Sequence, residues 1–188
     1  SLVRIACHHH EIEKIIPLVK WLKKSGYKVG INIMQIPELS LKEINSSVSL
    51  IKKTNADVLY FADSLGSLNS KKTNRIIKII KKKWKKDTGI HTHDNMGKAL
   101  ENSLEAIKSK VNWIDCTVTG MGRGPGNTKT EYLILELNPT KFDIDFSAYT
   151  DLVYASIELR KKGIAIYFRH KNEEYIVASR YNQTSFIS

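Results

Sequence analysis

The sequence is poor in cysteine and has no long apolar run. Its 188 residues include only two cysteines, Cys7 and Cys116, and both fall in short segments with the pattern of buried strands. Two cysteines cannot form a disulfide framework, so a reducing cytoplasm is the expected location. No stretch reaches the roughly 18 apolar residues that a membrane span needs. The first residues also lack the basic start, apolar run and cleavage site of a signal peptide. A soluble globular protein without a membrane partner is therefore expected.

Acidic residues are scarce relative to basic ones, and the formal net charge is +11. Much of this charge lies in residues 71–86, whose apolar residues fall on one stripe of a helix: Ile76, Ile77, Ile80 and Trp84. The pattern predicts an outer amphipathic helix whose lysines face solvent. The one aromatic residue among these lysines, Trp84, falls on the apolar stripe, so the segment lacks the interleaved aromatic residues that a base-stacking platform requires. A solvated helix face is thus favoured over a nucleic-acid site.

Short β-branched runs alternate with amphipathic stretches along most of the chain. Strands are predicted over residues 2–7, 29–34, 57–62, 89–93 and 113–118, and helices over about 11–25, 41–53, 71–86, 97–109 and from about 130. The repeat of about 30 residues is the length of one βα unit. Near-continuous apolar strands between helices predict a parallel sheet covered by helices. An open doubly wound sheet and a closed barrel both fit this pattern. Beyond residue 138, the sequence predicts a helix over 149–162 and a sixth strand over 163–168.

Polar residues follow each predicted strand at its carboxyl end. They form five groups: His8–Glu11, Gln35, Asp63–Ser64, His91–Asn95 and Gly120–Asn127. In parallel α/β folds the carboxyl ends of the strands meet at one edge, and side chains there converge on one crevice. The sequence therefore predicts one functional site at this edge.

The pair His91 and His93 is the sharpest element of this site. Residues i and i+2 of a strand point to the same side, so both imidazoles can reach one cation. The alternative interpretation is two hydrogen-bonded histidines at the rim of the sheet. Asp94 directly after the pair, and an amide-bearing loop one unit later, favour the metal site.

The loop Gly120–Asn127 is rich in glycine and opens a helix. Its match to a dinucleotide-binding fingerprint is poor, because Pro125 interrupts the glycines, and no Gly-Lys-Ser/Thr follows to make a phosphate-binding loop. Dense glycines let backbone amides approach an anion or a carbonyl closely, and Arg123 can pair with a carboxylate. The loop is predicted to bind a ligand, but its composition does not indicate which class of ligand.

Three segments in this order and spacing resemble the DRE-TIM metallolyase superfamily. They are YFADSLGSL (60–68), GIHTHDNMGKALENSLEAI (89–107) and IDCTVTGMGRGPGNTKTE (114–131). The superfamily includes 4-hydroxy-2-oxovalerate aldolases, hydroxymethylglutaryl-coenzyme A lyases, pyruvate carboxyltransferase domains, and isopropylmalate and homocitrate synthases. The segment VRIACHHHE (3–11) looks most like the hydroxy-oxovalerate aldolase branch.

The resemblance implies an α/β fold, a TIM (β/α)₈ barrel that lacks its first two βα units here. Residues 1–137 would form the barrel portion with the metal site, and residues 138–188 a helical or irregular segment that closes the barrel. The implied metal is Mn²⁺ or Mg²⁺, sometimes Zn²⁺. His91 and His93 correspond to the two histidine ligands of the family. Asn127 corresponds to an asparagine that ligates or supports the metal.

The implied reaction is aldol cleavage or condensation at a 2-oxo acid. Ser64 matches a position that faces the substrate in the aldolases, and His8, where the aldolase branch also has a histidine, is the acid–base candidate. With Arg123 they form the predicted catalytic set. The expected partners are a small-molecule 2-oxo acid, a second copy of the chain and a partner enzyme.

The sequence departs from the family pattern in two ways. The glycine-rich loop lacks the cysteine of the coenzyme A lyases, which argues against that branch. The aspartate ligand and the arginine of the family's first strand have no counterpart. The alternative is therefore a truncated or degenerate, non-catalytic barrel fragment that acts as a basic binding protein. A Rossmann-like nucleotide-binding fragment is a weaker alternative.

Overall fold

Five strands alternate with five helices in the computed structural model, which describes residues 1–137, Tyr154, Ile164–Ala165 and Ser179–Arg180. The elements are β1 (Leu2–Cys7), α1 (Ile12–Lys24), β2 (Lys28–Ile33), α2 (Leu41–Lys52), β3 (Val58–Asp63), α3 (Ser70–Lys83), β4 (Asp87–Thr92), α4 (Ala99–Lys108), β5 (Trp113–Asp115) and α5 (Thr130–Glu136). Short 3₁₀ turns lie at His9–Glu11, Ile36–Glu38 and Val118–Gly120.

The five strands form one parallel sheet in the order β1-β2-β3-β4-β5. Parallel neighbours need a crossover connection, which α1 to α4 provide. Each crossover therefore returns the chain beside the strand that it has just left. The predicted α/β class with a parallel, helix-covered sheet is confirmed.

Local sequence signals set where several helices begin and end. Ser40 and Glu43 form a capping box at the start of α2, in which the Ser40 side chain accepts from the Glu43 N–H at 3.3 Å. The Asn69 side chain caps α3 by accepting from the Lys72 N–H at 2.9 Å. Gly26 follows α1 with φ +84, the left-handed conformation of a helix C-terminal glycine. The predicted cap at Gly26 is confirmed.

The two faces of the sheet have different chemistry. One face packs against the helices in a buried core that contains, among others, Ile31, Ile33, Phe61, Ile90 and the α3 residues Ile76, Ile77 and Ile80. Alternation along each strand places the residues between them on the opposite face. There the side chains of Arg4, Tyr60, His91 and Asp115 contact one another. The amphipathic lysine-rich helix is confirmed as α3, but it ends at Lys83, and Trp84 is an extended residue that follows it.

The sheet is strongly curled, because its first and last strands touch through side chains. Arg4 on β1 donates from Nη1 to Asp115 Oδ2 on β5 at 2.5 Å. In a flat sheet these strands would lie about 19 Å apart, four spacings of about 4.8 Å. An arginine and an aspartate together cannot span that distance. The five strands are therefore part of a barrel wall rather than of an open sheet.

Three predicted strands differ from β2, β3 and β4 by one or two residues at their ends, and two others differ more. β5 ends at Asp115 instead of Val118, because the Thr117 N–H donates to Thr128 O at 3.0 Å and the chain turns toward the glycine-rich loop. Cys116 is accordingly only partly buried, whereas Cys7 is buried as predicted. Within 163–168, Ile164–Ala165 (β6) pairs antiparallel with Ser179–Arg180 (β7), outside the parallel sheet.

The remaining predictions for the C-terminal part concern residues that the structure does not describe. The helix over 149–162 lies outside the described residues except for Tyr154, which is helical. The boundary at residue 137 and the closing role of 138–188 stay predictions. Among the described helices, none is long and apolar enough to cross a membrane.

Candidate metal centre

His91 and His93 lie side by side at the carboxyl end of β4. Their ring centroids are 5.0 Å apart and the rings are nearly perpendicular. The Nδ1 atom of His93 is buried and has no hydrogen-bond partner among the residues described. Burial lowers the pKa of His93, and the charges of His91 and Arg123 lower it further, against a hydrogen bond with the Gly126 backbone. His93 is therefore a neutral imidazole whose buried Nδ1 makes no hydrogen bond to the described residues.

Asn127 is held directly beside His93 by a backbone bridge between the two residues. Its side-chain Nδ2 donates to Met121 O at 2.9 Å. This bond fixes the amide orientation and leaves Oδ1 as the free end. Oδ1 is buried and receives no hydrogen bond from any part of the chain that the structure describes. A buried carbonyl oxygen without a donor is unusual in a native protein and needs a partner.

These atoms fit a divalent cation. His91 uses Nδ1 in a 3.0 Å contact with Asp115 Oδ2, which leaves its Nε2 available. Two imidazole nitrogens and one amide oxygen are donors that Mn²⁺ and Zn²⁺ accept in proteins. Across the described residues, no group of three or more His, Cys, Asp or Glu side chains is arranged to hold a metal. The amide of Asn127 would therefore supply the third donor.

Glycines in the loop make room for the Asn127 amide. A Cβ atom at Gly122 would lie 2.6 Å from Asn127 Nδ2. A Cβ atom at Gly126, which has φ +96, would lie 1.9 Å from Gly120 O. The same Gly120 carbonyl accepts from the Asn127 N–H at 3.0 Å. Side chains are thus excluded at two positions so that the backbone can fold tightly around the amide.

A buried cluster of hydroxyl groups ties the two halves of the site together. Thr92 Oγ1 lies 2.6 Å from Thr128 Oγ1, and Ser103 Oγ lies 2.8 Å from Thr128 Oγ1. Thr92 sits between the two histidines in sequence, and Thr128 follows Asn127. The cluster joins β4, α4 and the glycine-rich loop on the helix side of the sheet. It was not predicted, although the alternation of β4 places Thr92 on that side.

The structure brings Ser64 and Arg123 together at the rim of the site. Arg123 Nη2 donates to Ser64 O at 2.7 Å, and Ser64 Oγ accepts from the Gln35 N–H at 3.0 Å. Arg123 is also close enough to His93 to lower its pKa. The contacts of His8 are instead with its own turn: its N–H donates to Glu11 Oε2 at 2.8 Å, and its ring stacks on His10.

The aspartates at two strand ends order the turns that follow them. The carboxylate of Asp63 accepts from the N–H groups of Ser67 at 2.8 Å and Leu68 at 3.0 Å. Asp94 Oδ1 accepts from the Ala99 N–H at 2.9 Å, at the start of α4. Asp94 thus has a local structural role beside the histidine pair.

A second polar cluster, which sequence reasoning missed, adjoins the metal centre. Asp115 Oδ2 is contacted by both Arg4 Nη1 and His91 Nδ1, and the Arg4 guanidinium lies 4.7 Å from the centroid of the Tyr60 ring. Burial alone would raise the pKa of Asp115, but the bonds from His91 and Arg4 lower it overall. Burial, with the Asp115 charge, raises the pKa of Tyr60 to about 12. The cluster therefore holds an ionised Asp115 next to His91.

Comparison with known sequences gives consistent matches. The family model described as HMGL-like matches residues 4–156. A 4-hydroxy-2-oxovalerate aldolase of Geobacillus genomosp. 3 is 31% identical over 138 residues, which cover 73% of this chain and 41% of that protein. One from Bacillus cereus is 25% identical over 165 residues, which cover 88% of this chain and 47% of that protein. The chain spans about half the length of the curated relatives it matches, or less.

Solved structures give the same picture of the fold. The N-terminal domain of a Bacteroides vulgatus protein assigned as an aldolase is 33% identical with a TM-score of 0.78, and the match covers 86% of this chain and 55% of that one. A hydroxymethylglutaryl-coenzyme A lyase of Bacillus subtilis superimposes with a TM-score of 0.68 at 14% identity, over 77% of this chain and 57% of that one. The latter identity is low enough that the likeness concerns the fold alone.

Proposed function

Because the chain belongs to the HMGL-like family, we propose that it carries the metal centre of a divalent-metal-dependent carbon–carbon lyase that acts on a 2-oxo acid. The aldolase names of the curated relatives support this class. The observation that carries the proposal is the pair of buried, unpartnered atoms His93 Nδ1 and Asn127 Oδ1. Buried acceptor atoms without donors are costly, and a bound cation would satisfy both of them.

The proposed ligands are His91 Nε2, His93 Nδ1 and Asn127 Oδ1, and the proposed metal is Mn²⁺ or Mg²⁺, with Zn²⁺ as the alternative. A cation bound there supplies Lewis-acid polarisation of the substrate's carbonyl oxygen. Imidazole ligands favour Mn²⁺ over Mg²⁺ in this set, because Mg²⁺ prefers oxygen. Substrate oxygens would complete the coordination.

Two residues at the rim are proposed to bind the substrate. Arg123 uses Nη2 to contact Ser64 O, and its other N–H groups remain for a substrate carboxylate, which a guanidinium binds with paired hydrogen bonds. Ser64 is held in place by the Gln35 N–H, so its hydroxyl hydrogen is free to donate to a substrate oxygen. His8 is the proposed acid–base group, since it directly follows β1 at the same edge of the sheet and imidazole transfers protons near neutral pH.

The proposal also covers the substrate, the oligomeric state, the location and the partner of the protein. The expected substrate is a small 2-oxo acid, and the expected state is a homo-oligomer in the cytoplasm, with a partner enzyme. In the described sheet β1 and β5 are the two edge strands. An edge strand without a neighbouring strand can pair with a strand of another chain, which favours association.

The first test is a calorimetric titration of the purified, chelator-treated chain with Mn²⁺. We expect one equivalent to bind, and we expect the His93→Ala variant to lose at least about 100-fold in affinity, since one of three ligands is removed. His10→Ala is the matched control, because His10 stacks on His8 in the first turn and is not in the ligand set. Its affinity should equal that of the unaltered chain.

Turnover is tested separately, by following pyruvate release from 4-hydroxy-2-oxo acids with and without Mn²⁺. Metal-dependent release that is lost in His93→Ala supports the lyase. No Mn²⁺ binding at millimolar concentration contradicts the metal centre. Binding without turnover would favour the non-catalytic barrel, and metal-independent nucleic-acid binding that falls steeply with salt would favour the basic binding protein.

A further inference from the structure

We propose that Asp115 is a positioning residue for the metal centre, and that Arg4 holds its carboxylate in place. Asp115 fixes the ring of His91 so that Nε2 is the nitrogen offered to a cation. The inference rests on the proposed function for its metal readout, but it also makes a prediction for the metal-free protein.

The first step is the direction of the hydrogen bond. His91 Nδ1 lies 3.0 Å from Asp115 Oδ2. An ionised carboxylate only accepts hydrogen bonds, so the proton of a neutral His91 must be on Nδ1. The lone pair is then on Nε2. A carboxylate that holds the far nitrogen of a ligand histidine in this way sets the ring's orientation and strengthens it as a ligand.

The second step is how the backbone brings the two side chains together. Asp115 and His91 are direct partners in the parallel ladder between β5 and β4. Their side chains therefore leave the sheet on the same face, next to each other. The pairing makes the contact a property of the strand register, so no loop has to move for it to form.

The third step is the restraint on Asp115 itself. Arg4 Nη1 reaches the same oxygen, Oδ2, at 2.5 Å. The Arg4 guanidinium is in turn stacked on Tyr60, whose ring packs tightly against Gly89: a Cβ atom at Gly89 would lie 2.2 Å from it. Arg4 contacts both Tyr60 and Asp115, so its charge favours one position of the carboxylate. That position is the one in contact with His91.

The test variant is Asp115→Asn in the full chain, examined by Mn²⁺ titration and by long-range ¹H–¹⁵N NMR of the metal-free histidines. We expect Mn²⁺ affinity to fall about 10- to 100-fold. We also expect His91 to lose its Nδ1–H tautomer, because the new amide can donate to Nδ1 and stabilise the Nε2–H form. A role limited to stability would lower the urea midpoint without changing the tautomer.

The matched control is Asp87→Asn. Asp87 is a carboxylate at the start of β4 that accepts from Trp113 Nε1 at 3.0 Å. Its replacement should leave both the metal affinity and the His91 tautomer unchanged. A second variant, Arg4→Gln, keeps the Asp115–His91 bond but removes its charged partner, and we expect a smaller loss of affinity than in Asp115→Asn. Arg4→Gln also serves if Asp115→Asn does not fold.

The outcomes separate this inference from the proposed function. If the unaltered chain binds Mn²⁺ and Asp115→Asn binds it equally with an unchanged tautomer, the positioning role is overturned and the metal centre stands. If the unaltered chain binds no Mn²⁺ but His91 is Nδ1-protonated and switches in Asp115→Asn, the control of the His91 ring by Asp115 stands and the metal centre fails. An Nε2–H tautomer in the unaltered chain overturns the positioning role directly.

Discussion

Replacing Gly126 with alanine should damage the glycine-rich loop more than any neighbouring glycine replacement. The added Cβ would meet the Gly120 carbonyl oxygen at 1.9 Å. The position of a Cβ is fixed by its own backbone and the oxygen is a backbone atom, so neither can rotate away. Its φ of +96 adds backbone strain. A left-handed conformation costs an L-residue about 1–2 kcal/mol, and overpacking at a fixed contact costs about 1–3 kcal/mol more. We expect a total loss of about 2–5 kcal/mol in the free energy of unfolding.

The matched control is Gly124→Ala in the same loop. Gly124 also has a positive φ, +59, but nothing lies within 4 Å of its added Cβ. Only the conformational part remains, so we expect a loss of about 1–2 kcal/mol. Urea denaturation followed by circular dichroism measures both values. Equal losses in the two variants would show that the clash with Gly120 is relieved by backbone movement, and would refute the reasoning.

Two further predictions concern the sheet. Burial raises the pKa of Asp57, but the hydrogen bond and charge of Lys23 lower it overall. The unaltered chain should therefore lose stability as pH falls from about 5 through the ordinary aspartate pKa of about 3.9 and on through the lower pKa of the folded state. In Asp57→Asn, the urea midpoint should lose this contribution to its fall at acidic pH. Identical midpoint-against-pH profiles for the variant and the unaltered chain would contradict the role of Asp57. Gly89→Ala should destabilise by about 1–3 kcal/mol, since its Cβ would lie 2.2 Å from the Tyr60 ring, whereas Gly30→Ala, at 3.2 Å, should cost less. Equal urea midpoints for Gly89→Ala and Gly30→Ala would contradict the prediction that the contact with the Tyr60 ring sets the cost.

The repeating part of the fold was predictable, because each βα unit carries its own signals. The apolar stripe of Ile76, Ile77 and Ile80 and the capping residues give the helices from local sequence alone. The end of β5 was predicted wrongly, since Thr117 has good strand propensity but pairs with Thr128 in the loop. Strand propensity is a preference of the residue itself, and it does not account for a tertiary hydrogen bond such as this one.

The candidate site divides in the same way. The adjacency of His91 and His93 follows from strand alternation, and the structure places them side by side. The contact of Arg4 with Asp115 could not be predicted, since it joins residues 111 positions apart and depends on the curl of the sheet. In sequence each looks like an ordinary polar residue in a strand.

The bond between Arg4 and Asp115 also has a consequence for the order of folding. Closing a loop of that length in an unstructured chain would cost about 4 kcal/mol of entropy, so the contact forms only after the intervening strands have assembled. The tautomer of His91 depends instead on the neighbouring pair β4 and β5, through the contact of His91 with Asp115. A kinetic intermediate with native helices but with β5 out of register would therefore have a circular dichroism spectrum close to that of the native protein, while its neutral His91 would still exchange between the two tautomers.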